Sequence, residues 1–153
     1  MPSDNPKKKK RILFLCTGNY YRSRFAEIFF NWHAGQRGLV WSAESRGLAL
    51  DGCNYGPISR HTISRLKEQG IASEGCGRFP LPLSEADLAA ADHIVAVKEA
   101  EHRPLVEMKF PKWRDDIEYW HVHDLDCATP DDAMPHLESE VLRLVERLAR
   151  LAA

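Results

Sequence analysis

Cys16 and Arg22 are separated by the five residues Thr17-Gly18-Asn19-Tyr20-Tyr21, and Ser23 follows directly. A cysteine attacks as its thiolate, and an arginine presents a planar fork that holds two oxygens of a phosphate at once. Gly18-Asn19 is a turn-forming pair, so nucleophile and anion clamp share one tight loop. The chemistry this pattern allows is cleavage of a phosphate ester through sulfur. It needs an electropositive setting to keep the thiol ionised, and the amides of a loop at a helix N-terminus supply one.

The neighbouring residues provide that setting. Ile12-Leu13-Phe14-Leu15 reads as a buried strand that delivers Cys16 to the loop. Beyond Arg22, Phe25, Ile28, Phe29 and Trp32 recur at i, i+3, i+4 and i+7, predicting a helix with an apolar stripe that Gly35 ends. Ser23 can donate a hydrogen bond to the sulfur, and Asn19 tolerates the left-handed backbone a tight loop requires. Singly, each residue has an ordinary structural explanation: a buried small thiol, a first-turn arginine, a turn. Their conjunction at strand, loop and helix start points to an anion site.

Further strands are predicted over Leu39–Ala43, His93–Val97 and Ile117–Val122, the last placing Asp124 just beyond its C-terminal end. Helices are predicted from Ser59, with Ile63 and Leu66 inward, and from the capping box Ser84-Glu85-Ala86-Asp87. Another follows residue 97 and begins or kinks at Pro104. The last opens at Thr129-Pro130-Asp131-Asp132 and buries Leu137, Val141, Leu144, Leu148 and Leu151. This alternation implies an α/β fold, a doubly wound four-stranded parallel sheet with helices on both faces. Ligands in such sheets bind at the carboxyl ends of the strands, where the 16–23 loop and Asp124 meet.

A chain of 153 residues, 44% apolar, suits a single domain over 11–153, preceded by a basic tail over 1–10. With 21 basic and 22 acidic residues the net charge is −1, so no global field selects nucleic acid or a membrane as partner. The apolar stretch behind Lys7–Arg11 is too short for a signal peptide, and Cys16, Cys53, Cys76 and Cys127 lack zinc spacing. The expectation is a cytoplasmic monomer that uses no metal or other cofactor.

The stretch Cys16 to Ser23 resembles the signature of the low-molecular-weight protein tyrosine phosphatases: cysteine, five residues, arginine, then serine or threonine, directly after the first strand. Leu13-Phe14-Leu15 and Ala26-Glu27 share the likeness, which is traceable from Ile12 to the last helix. The resemblance implies a flavodoxin-like phosphatase fold and a metal-independent protein tyrosine phosphatase working through a phosphocysteine. Its substrate is a phosphorylated protein or small phosphomonoester. By position it assigns Cys16 as nucleophile, Arg22 and the loop residues Thr17, Gly18, Asn19, Tyr20, Tyr21 and Ser23 to phosphate binding, Asp124 as general acid, and Ser42 as a loop support. Tyr20 takes the loop position that faces the substrate.

The chain departs from the family at several points. Leu125 replaces the proline that follows the acid, leaving Asp126 as an alternative. Tyr21 replaces a second loop cysteine, Arg24 a proline, and the tyrosine pair after the acid is absent. Three other readings stay open. One is a phosphate-binding module without turnover. Arsenate reduction on the same fold is another, although its relay cysteines are missing from Val95–Glu101. The third is a metal site at His121 and His123 with Asp124 or Asp126.

Overall fold

The computed structural model describes residues 9–50, 56–72, 78–123 and 130–152. Asp124, Asp126, Thr129, Cys53, Cys76 and Cys127 lie outside the described residues. The elements run β1 (Lys10–Cys16), α1 (Arg22–Gln36), β2 (Trp41–Gly47), α2 (Arg60–Glu68), α3 (Glu85–Ala90), β3 (His93–Ala96), α4 (Glu99–Lys109), β4 (Glu118–Tyr119) and α5 (Pro130–Ala152).

The four strands pair in parallel in the order β2-β1-β3-β4. From β1 the chain moves outward to β2, then crosses back to β3 on the other side of β1. This reversal opens a crevice above the carboxyl end of β1, where Cys16 stands.

Period-two alternation along β1 separates two cores. Ile12, Phe14 and Cys16 join Phe25, Phe29 and Phe30 of α1 and Leu137, Val141 and Leu144 of α5 in one cluster. Leu13 and Leu15 face the other way, onto Leu88 of α3 and Val106 of α4. Both faces of β1 are therefore sealed, and the strand is rigid where it presents Cys16.

Several expectations shift. β2 begins at Trp41 and runs to Gly47, beyond the predicted end at Ala43. In α1, Phe30 takes the core place expected of Trp32, which is exposed. Ile63 and Leu151 are also exposed, whereas Thr62 is buried. The helix after β3 starts at Glu99 and carries Pro104 as its sixth residue. Its start is set by the acidic first turn of Glu99 and Glu101, favourable at the positive end of a helix, and by the Glu99 amide donating to the Trp120 carbonyl at 2.7 Å. β1 includes Lys10, one residue inside the expected tail.

Candidate active site

The loop from Cys16 to Tyr21 ends on the N-terminus of α1, with Arg22 as the first helical residue. Cys16 is buried, and its Sγ lies 2.9 Å from Ser23 Oγ. Asn19 Nδ2 donates to that same Oγ at 2.9 Å. Because the Ser23 oxygen accepts from Asn19, its single hydrogen is available to the sulfur.

Asn19 holds the loop in shape. It is fully buried and has φ of 50°. Its Nδ2 also donates to Ser45 Oγ at 2.9 Å, and its Oδ1 accepts from Arg78 Nη1 and from the Leu81 amide, each at 3.0 Å. Ser45 in turn donates to Glu27 Oε1, which is paired with Arg78 at 3.1 Å. The loop support expected of Ser42 is thereby corrected to Ser45. In the parallel register Ser42 stands opposite Arg11, at the far end of β2, while Ser45 stands opposite Phe14 near the loop.

The backbone is stitched on both sides. The carbonyls of Cys16 and Thr17 accept from the amides of Leu48 and Ala49, and the Tyr20 carbonyl accepts from Ser59, each at 2.9 Å. At Gly47, paired with Cys16, an added Cβ would stand 2.8 Å from the Thr17 carbonyl oxygen. Only glycine permits this close approach of β2 to the loop.

Arg22 is buried in the floor of the site. Nη1 donates to the Val122 carbonyl at 3.1 Å, and Nη2 to Glu101 Oε2 at 2.8 Å. The Thr17 hydroxyl donates to the same carboxylate oxygen, and Nε2 of the buried His102 lies 3.1 Å from it. Burial pushes the Glu101 carboxyl upward, but His102, Thr17 and Arg22 outweigh it and hold Glu101 well below the usual carboxylate range.

The structure thus brings Cys16, Thr17, Asn19, Arg22 and Ser23 together. Tyr20 is partly exposed at the loop, and Tyr21 is buried with its ring edge-on to His61. Sequence reading missed Ser45, Glu27, Arg78, Glu101 and His102. Ser45 had a signal, a polar residue continuing a strand that approaches the loop. The others resemble solvated charges until the fold assembles them. Among the described residues, no three His, Cys, Asp or Glu side chains gather as a metal site, and no helix is long and apolar enough to cross a membrane.

Sheet order and loop together define a class, the cysteine-dependent phosphatases. Within that class the chain belongs to a family whose model, the low molecular weight phosphotyrosine protein phosphatase, matches residues 11–150. A protein-arginine-phosphatase of Bacillus subtilis (strain 168) is 30% identical over 106 residues, 69% of this chain and 67% of that protein. Arsenate reductase 1 of Staphylococcus epidermidis is 39% identical over 64 residues, 42% of each chain. The crystal structure of a low molecular weight protein tyrosine phosphatase from T. tengcongensis superposes with a TM-score of 0.76 at 26% identity, covering 90% of this chain and 99% of that one.

Proposed function

We propose that the protein hydrolyses phosphomonoesters without a metal, acting on protein phosphotyrosine through a phosphocysteine intermediate. The observation that carries this reading is the buried Cys16 sulfur 2.9 Å from Ser23 Oγ, on a loop that closes at Arg22 and a helix N-terminus.

Cys16 Sγ attacks phosphorus, and the S–P bond forms as the bond to the leaving oxygen breaks. Arg22 and the loop amides from Thr17 to Ser23 hold the equatorial oxygens. Asp124 delivers a proton to the leaving oxygen, and its carboxylate then takes one from the water that cleaves S–P. The thiolate is regenerated. The substrate is a phosphorylated protein in the cytoplasm, and the protein acts there as a monomer.

The 30% identity to a protein-arginine-phosphatase supports a second substrate, phosphoarginine on proteins. Steady-state kinetics on aryl phosphate, a phosphotyrosine peptide and phosphoarginine, with and without chelator, test both. Chelator-insensitive turnover highest on phosphotyrosine is expected, and Cys16→Ser should abolish it while keeping oxyanion binding. Near-full activity in Cys16→Ser overturns the mechanism. Oxyanion binding without turnover in the native protein would establish a binding module instead, and arsenate-dependent oxidation of thioredoxin would establish a reductase.

A further inference from the structure

Glu101 arrives from the first turn of α4, 79 residues along the chain from Arg22. Two donors from the phosphate loop, the Thr17 hydroxyl and Arg22 Nη2, converge on its Oε2, and His102 Nε2 lies 3.1 Å from the same oxygen. His102 is itself oriented. The Lys98 amide donates to its Nδ1 at 3.1 Å, which leaves the ring proton on Nε2. A fixed negative charge beside an anion site repels the anion, so this carboxylate works against phosphate affinity.

We infer that Glu101 is a positioning residue for the phosphate loop: its carboxylate ties Thr17 and Arg22, the two ends of the loop, to the start of α4. This inference rests on the phosphatase reading above. The repulsion acts on bound phosphate and on the transition state alike. The orientation of Arg22 matters most in the transition state, where charge spreads over the equatorial oxygens the arginine must meet. Glu101 therefore lowers ground-state affinity and raises the rate of the chemical step. Loss of an ordinary structural residue would instead weaken both.

The test separates charge from reach. Glu101→Gln keeps the shape and removes the charge. Inorganic phosphate, titrated by calorimetry, should bind about threefold tighter or more, and kcat on an aryl phosphate should fall about tenfold or more. Glu101→Asp keeps the charge on a side chain one methylene shorter, so kcat should fall with no gain in phosphate affinity. The inference is overturned if Glu101→Gln leaves kcat within about twofold of native, or if phosphate affinity and kcat fall together. Calorimetry needs no turnover. A native protein that hydrolyses nothing would sink the phosphatase reading, while tighter phosphate binding by Glu101→Gln would still uphold the placement of this charge, and unchanged or weaker binding would overturn it.

Discussion

Arg78 Nη1 donates to Asn19 Oδ1 at 3.0 Å, across 59 residues of sequence. The segment that carries Arg78 is further tied to the site by the Leu81 amide on Asn19 and by Leu81 and Leu83 bonding across to Gly47. Asn19 is the one described non-glycine residue with positive φ, and this second segment of chain holds it there.

Asn19→Ala removes four hydrogen bonds from a fully buried position and puts a side chain with no local hydrogen bond in the left-handed region. Stability should fall by about 2–4 kcal/mol, as when a buried hydrogen-bond network is broken. Urea denaturation monitored by tryptophan fluorescence measures this, and a loss below 1 kcal/mol would mean the network is slack.

Ser23→Ala removes the hydroxyl 2.9 Å from the Cys16 sulfur. A hydrogen bond to a charged group contributes about 1.5–3 kcal/mol, so kcat at neutral pH should drop about ten- to a hundredfold. Single-turnover measurement of phosphocysteine formation locates the defect in the first step. An unchanged rate there would place the hydroxyl outside the chemistry.

Asp124→Asn should slow phosphotyrosine hydrolysis by about two to four orders of magnitude and an activated aryl phosphate far less, because a strongly acidic phenol leaves without a proton. Asp126→Asn should change neither much. If the two variants exchange behaviours, Leu125 has shifted the loop and Asp126 is the acid.

Glu118 on β4 gives a pH dependence unconnected with the active site. Burial pushes its carboxyl upward, but hydrogen bonds from His93, Arg147 and Trp120 bring it from 4.5 down to about 2. A carboxyl depressed in the folded state stabilises fully above its unfolded value and loses that contribution as pH falls. Glu118→Gln should cost about 1–2 kcal/mol at pH 7, after discounting for the half-exposed Arg147, and the difference from native should vanish between about pH 4.5 and pH 2. Denaturation curves at both ends of that range check the sign.

The sheet was legible in the sequence because β1 and β3 are built on short apolar runs and the crossovers follow a physical rule, whereas β4 spans only Glu118–Tyr119 of the expected Ile117–Val122. Cys16, Arg22 and Ser23 were legible because they lie within one local turn. Glu101, His102 and Arg78 were not, since nothing local distinguishes a carboxylate aimed at Arg22 from one in solvent. The error over Ser42 has the same source. Apolarity marked the strand as ending at Ala43, but β2 continues through Ser45, whose burial is explained by Asn19 of the loop across the sheet, and Arg46. Pro104 misled because a proline six residues into a helix reads as its start when the anchor of the first turn, the Trp120 carbonyl, is 21 residues away.

The thiol of Cys16 is made early and housed late. Its loop is finished by residue 23, but the groups that shape it arrive with Ser45, Arg78, Glu101 and finally Val122. A nascent chain still short of Glu101 and Val122 carries the whole Cys16–Ser23 signature, yet Arg22 has neither of these acceptors. The loop around Cys16 therefore takes its final shape only once the sheet is complete, so a truncated chain would carry the signature without its setting.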